Sequence, residues 1–156
     1  MTKMLKTKII LGYLGFIPFG AFTILPWILG EKWLRPSLIS LVIYGAIILS
    51  FLAGIIWQSS KKQSDLVSAI VLSLLGFTSV FLFTVNIMIP LIVLTLCFPL
   101  CYLQEKRISE SFADEDYASL RLNLTTGVTA CYVLSIFSTI GPVSYTHLRA
   151  HETRIH

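Results

Sequence analysis

The chain is organised by stretches that carry no charge. Residues 9–29, IILGYLGFIPFGAFTILPWIL, hold no Asp, Glu, Lys, Arg or His, and neither do residues 38–58, LISLVIYGAIILSFLAGIIWQ. At about 1.5 Å of rise per residue, about 20 helical residues cross a hydrocarbon core about 30 Å thick. Inside lipid every backbone N–H and C=O must be satisfied internally, so a charge-free run of this length is expected to be a spanning helix. Pro18 and Pro26 are expected to kink the first one, which neighbouring helices can tolerate. MTKMLKTK ahead of it resembles the basic start of a signal peptide. The apolar run that follows is too long for that role, and no small-residue cleavage site comes after it, so the helix is expected to be retained.

Residues 66–103 form a third charge-free run, too long for one span. Asn86 and Pro90 interrupt it, which predicts a tight turn near Thr84–Pro90 and helices over about 66–85 and 87–103. Residues 122–141 make a fifth, less hydrophobic span with Asn123 and several Thr and Ser, the helix expected to be most protected by its neighbours. The fold class expected is all-α, an integral membrane bundle of five transmembrane helices. Composition agrees: 13% of residues are charged, against about 25% in a soluble domain. No internal repeat is evident, and five spans would leave an inverted-repeat transporter with an unpaired helix.

Lys and Arg gather on the cytoplasmic side of membrane proteins. With the N-terminus cytoplasmic, Lys3, Lys6, Lys8, Lys61, Lys62, Lys106, Arg107 and Arg121 fall inside, and only Lys32 and Arg35 fall outside between the first two spans. Trp27 and Trp33 then lie at the outer interface, with Trp57 and Tyr102 at the inner one. The net charge of +4 is read as this orientation signal. No nucleic-acid partner is expected, because no basic patch is interleaved with surface aromatics.

The polar stretch QEKRISESFADEDYASLR, 104–121, admits two readings. Ile108, Phe112, Tyr117 and Leu120 suit an amphipathic helix lying on the membrane surface. A solvated connector with a short helix suits the same residues. Glu110, Asp114, Glu115 and Asp116 within it form an acidic run expected to be a solvated face rather than a cation site.

Few residues point to chemistry. None of the expected spans holds an ionisable residue of the kind that marks proton relays and ion paths, and none holds a histidine for haem. Gly45, Ala46, Ser50, Ala53 and Gly54 form a small-residue stripe on the second helix, and Asn123, Gly127, Cys131 and Ser135 form one on the fifth. Both are read as helix-packing faces, with a dimer face, groove or polar cavity as the alternatives. Cys97 and Cys101, one turn apart, are read as buried packing residues rather than ligands of a soft metal. No catalytic residue, metal ligand or cofactor is expected. The expected partners are the lipid bilayer and other membrane proteins or a second copy.

YGAIILSFLAGIIWQ, 44–58, resembles the second-helix signature of the domain of unknown function 3429 family, which includes the transmembrane protein 69-like proteins. YLGFIPF, 13–19, and YASLRLNLTTGVTACYVLS, 117–135, resemble the family's first and last helices. The family often reads Gly–Gly and then His–Trp–Gly at the end of the second helix, whereas this chain has Ala53 and Gly54, then Ile56, Trp57 and Gln58. The resemblance implies a small multi-pass protein of the bacterial inner membrane or of mitochondria, and no activity. The function expected is that of a non-enzymatic accessory or assembly component. Alternatives are a small transporter or channel, and an enzyme using the 104–121 loop through Glu105, Glu110, Asp114 or Asp116.

The end of the chain reads differently. PVSYTHLRAHETRIH holds all three histidines, His147, His151 and His156. Val143–Thr153 resembles the translation of a sequencing-library adapter. The membrane domain is therefore expected over 1–141, followed by a non-native, disordered tail over 142–156.

Overall fold

A computed structural model describes residues 2–152, and the side-chain surroundings of residues 2–141. Among the described residues are five α-helices and two short 3-10 turns: α1 (Lys3–Leu29), α2 (Leu34–Ser59), α3 (Gln63–Leu82), α4 (Met88–Ile108) and α5 (Glu115–Glu152). All five are long and apolar enough to cross a membrane, α5 over Glu115–Gly141. The chain is an integral membrane protein of up-and-down helices. The expected tail at 142–156 lies, in its side chains, outside the described residues.

The helix ends have local causes. Thr2 Oγ1 accepts the Leu5 N–H at 3.3 Å and caps α1, so the helix takes in its lysines and starts earlier than the charge-free run. Gly30, at φ 96°, ends α1 while donating its N–H to the Pro26 carbonyl. A residue with a Cβ is strained at that angle. Between α3 and α4, Asn86 Oδ1 accepts the Met88 N–H at 2.8 Å and starts the new helix. Pro90 sits in its first turn, where a missing N–H is no loss. Asp114 Oδ1 accepts the N–H groups of Asp116 and Tyr117 and starts α5. Glu115 and Asp116 then lie in the first turn, where the helix dipole favours negative charge.

These ends correct one of the two readings of 104–121: no separate amphipathic α-helix forms there, and the connector is a short 3-10 turn. Gln104–Ile108 is the last turn of α4, Glu110–Ala113 is a 3-10 turn, and Glu115–Arg121 opens α5. A run of charge-free residues ends where its first charge occurs, but α-helical hydrogen bonding does not.

The helices pack as a ring: α1 on α2, α2 on α3, α3 on α4, α4 on α5 and α5 on α1. One diagonal, α2 on α4, crosses it. That diagonal divides the ring into a triangle, α2–α3–α4, and a four-sided frame, α1–α2–α4–α5. Three helices at contact distance of about 8–10 Å leave no central space, but four do. In the triangle Gly76 of α3 lets the helices meet closely, since a Cβ there would lie 3.3 Å from the Ala46 carbonyl. In the frame the gap is filled by aromatic rings. Phe19 of α1 packs against Tyr44 of α2 at 4.9 Å, Phe98 of α4 at 5.9 Å and Tyr132 of α5 at 6.1 Å between centroids. Phe98 and Tyr132 stack at 5.8 Å.

Tyr132 reaches across the frame. Its hydroxyl donates to the Leu41 carbonyl of α2 at 2.9 Å, and the side chain is fully buried. It lies over Gly45, where a Cβ would collide with the hydroxyl. Gly45→Ala is expected to lower stability by about 1–3 kcal/mol through overpacking. In Tyr132→Phe the same change should cost clearly less. Unfolding of the four proteins in mixed micelles checks this; additive effects would show that the two groups do not meet.

Candidate functional site

The lysine-bearing end of the bundle holds its ionised groups in an ordered arrangement. Glu105 projects from the last turn of α4 with no exposed surface, and Arg121 of α5 is 8% exposed. Arg121 Nε and Nη2 donate to Glu105 Oε2 at 2.8 and 2.5 Å, and the Tyr117 hydroxyl donates to Oε1 at 2.5 Å. Tyr117 and Arg121 are four residues apart, so they share one face of α5. Both carboxylate oxygens are thereby satisfied, which a buried charge requires.

A second set ties α3 to α4. Asp65, buried in the first turn of α3, accepts from Arg107 Nη2 at 2.6 Å and from Gln104 Nε2 at 3.2 Å. Gln104 also donates to Ser68 Oγ. A third, exposed pair joins Lys61 to Glu110 at 2.9 Å. The Lys61 ammonium beside Glu110 holds its carboxyl below the usual carboxylate range.

Beside these pairs a chamber of about 910 Å³ opens between α1, α2 and α5, with Phe98 of α4 at its floor. It is the unfilled half of the four-sided frame. Its mouth carries Lys8, Gln58, Lys61, Ser109, Tyr117 and Arg121. Its depth is lined by Phe16, Phe19, Leu52, Phe98 and Val128. Beyond those residues Tyr132, Leu41 and Leu94 have no exposed surface. Leu11 and Phe51 line opposite sides and are both exposed, so the chamber also opens sideways between α1 and α2.

The family model described as "Protein of unknown function (DUF3429)" matches residues 4–137. The chain belongs to the DUF3429 family. No curated protein and no solved structure matches it. The match to DUF3429 reaches all five helices, α5 as far as residue 137, and includes Glu105, Tyr117, Arg121 and the walls of the chamber.

The residues singled out from the sequence of this DUF3429 member are dispersed. Gly45 lies under Tyr132, Ala46 meets Gly76, and Ala53 is buried. Ser50 accepts a hydrogen bond from Ser73 of α3 at 3.3 Å, and Gly54 is exposed with open space around it. On α5, Asn123 donates to the Tyr13 hydroxyl of α1, and Gly127 faces the Phe16 ring. Cys131 and Ser135 are buried, and Ser135 donates to the Cys131 carbonyl. Cys97 and Cys101 are buried free thiols. Of the four carboxylates in the enzyme alternative, Glu105 is buried in its pair, whereas Glu110, Asp114 and Asp116 are exposed.

Sequence reasoning named Glu105 only as a loop carboxylate; it missed its burial and its pairing with Arg121, and it missed Asp65, having placed all three outside the spans. The i, i+4 pair of Tyr117 and Arg121 at the start of a helix, with one glutamate at the end of the previous helix, was the available signal. Arg121→Gln should cost about 3–5 kcal/mol, because it leaves Glu105 buried and unpaired. Arg121→Lys should not restore stability, since an ammonium cannot present the planar fork that serves Glu105. Unfolding in mixed micelles gives both values; a loss below about 1 kcal/mol, the worth of a surface pair, would sink this account.

Proposed function

We propose that this is a non-enzymatic accessory protein of its membrane, which acts by holding a ligand in the chamber at its basic end. The observation that carries this reading is the chamber's form: a polar mouth, an apolar depth, and an inner end closed by Phe19, Phe98 and Tyr132. A volume of about 910 Å³ falls within the range of about 300–1,000 Å³ usual for ligand pockets. A pocket with a blocked inner end favours binding over conduction. Catalysis draws less support, since Glu105, the buried carboxylate behind the mouth, has both oxygens engaged by Arg121 and Tyr117.

The distribution of Lys and Arg supports a cytoplasmic N-terminus, with the mouth on the cytoplasmic side. The bacterial inner membrane is the proposed location, and the mitochondrial inner membrane, with the mouth facing the matrix, is the alternative. Two measurements test the function together. Proteoliposomes should pass ions and small metabolites no faster than protein-free vesicles. A photo-crosslinking side chain at Ile55, on the chamber wall, should be labelled by a bound molecule in native membranes. Measurable flux with an unlabelled Ile55 would replace binding by transport.

A further inference from the structure

Resting on the reading of the chamber as a binding site, we infer that it takes one anionic phospholipid from the surrounding bilayer. The phosphate lies at the mouth near Lys8, Lys61 and Arg121, and one acyl chain lies in the depth against Phe16 and Leu52.

Three observations on the chamber converge. Its chemistry is graded along its length, from hydroxyls and cations at the helix ends to aromatic and aliphatic side chains at mid-bundle. That is the gradient of a lipid, and it runs along the direction in which lipids lie. The sideways opening between Leu11 and Phe51 sits within spanning helices, so it faces acyl chains rather than water. A lipid can therefore slide in without leaving the bilayer.

The third observation is charge. Arg121 gives Nε and Nη2 to Glu105, and its Nη1 has no hydrogen-bond partner among the described residues. Lys8 is exposed and makes no ion pair among them. Lys61 is held by Glu110, and both are exposed. Of the charged residues lining the chamber, three are cations and one, Glu110, is an anion. Glu105 neutralises Arg121 from behind, so among the residues that line the chamber Lys8 keeps the one uncompensated charge. Asp114 lies beside Lys8 in the neighbouring pocket without pairing to it. An anionic headgroup compensates the Lys8 charge and supplies an acceptor for Nη1. A zwitterionic headgroup brings a cationic ammonium, quaternary in phosphatidylcholine, into the same cationic space.

The test is native mass spectrometry of the full chain released from nanodiscs of equimolar phosphatidylglycerol and phosphatidylcholine. One phosphatidylglycerol should be retained in preference to phosphatidylcholine. Lys8→Gln should lower that preference about fivefold, the effect of one basic residue near a lipid surface. Glu110→Gln should move it the opposite way by releasing Lys61. Both positions are exposed, so neither change threatens the fold. Ile55→Trp, which fills the chamber, should reduce retention of either lipid. Equal retention of both lipids by the unaltered protein overturns the headgroup assignment while leaving the chamber a binding site. Phosphatidylglycerol retained undiminished in Ile55→Trp places the lipid elsewhere and overturns the inference. A lipid-free dimer overturns it in favour of a second copy closing the slot. Loss of every lipid together with an unlabelled Ile55 removes the binding reading itself.

Discussion

Tyr132 ties α5 to α2 across a gap that helix packing alone does not close. Four helices in a frame leave a central space, and hydrocarbon offers no water to fill it. The Tyr132 hydroxyl cannot stay unpaired there without cost, so its bond to the Leu41 carbonyl sets how far the ring reaches across. Gly45 makes room for that reach. Once Tyr132 is placed, Phe98 stacks on it and Phe19 closes edge-on against both. The plug therefore has a defined height in the bundle, and that height becomes the floor of the chamber. The same rings that stabilise one half of the frame delimit the empty half.

The ionised groups complete the picture at the other end of the chamber. Asp65–Arg107 joins α3 to α4, Glu105–Arg121 joins α4 to α5, and Lys61–Glu110 joins the α2–α3 connection to the α4–α5 connection. These pairs link α3, α4, α5 and the two connections beside them. Helix α1 has no part in them among the described residues. Only Phe19 and Thr23 of α1 are buried. The chamber beside α1 is therefore bordered by paired charges on its α2 and α5 sides and, on α1, by Lys8, unpaired among the described residues. Burying Glu105 and Arg121 near lipid is costly, and three hydrogen bonds to one carboxylate are the means by which such a pair is tolerated.

Much of this was legible in the sequence, for a physical reason. A charge-free run in lipid has few structural options, so the number of helices and the turn at Asn86–Pro90 follow from the pattern of charges. The ends were less legible. Glu105 and Arg121 read as loop residues because each, taken alone, is incompatible with a buried position. Only their pairing makes the position acceptable, and pairing across 16 residues is set by how α4 and α5 cross. The small-residue stripe of α2 likewise treats one helix as having one packing face. In the structure α2 is central, so Gly45 serves α5, Ala46 and Ser50 serve α3, and Gly54 serves neither. A chamber is harder still to anticipate, since it arises from side chains that fail to fill a frame whose shape no single helix encodes.

The choice of where the frame opens comes down to glycines on the α1–α5 seam. A Cβ at Gly127 would lie 2.8 Å from the Phe16 ring, and one at Gly12 would lie 3.1 Å from the Leu124 side chain. These two notches hold α1 close against α5. Toward α2 the arrangement differs. The Tyr44 hydroxyl donates to the Gly15 carbonyl at 2.8 Å, one turn before Pro18, and on the basic side of that bond the chamber lies between the two helices. Pro18 supplies no N–H to the Leu14 carbonyl, which weakens the helix at that level and permits a bend. Thus α1 is anchored along α5 by two notches and tied to α2 by the Tyr44 bond, with the chamber between α1 and α2 on the basic side. The chamber so placed is closed at mid-bundle by Phe19 and Phe98 and reaches the level of Lys8 and Lys61, which suits a guest lying with its charged end toward Lys8.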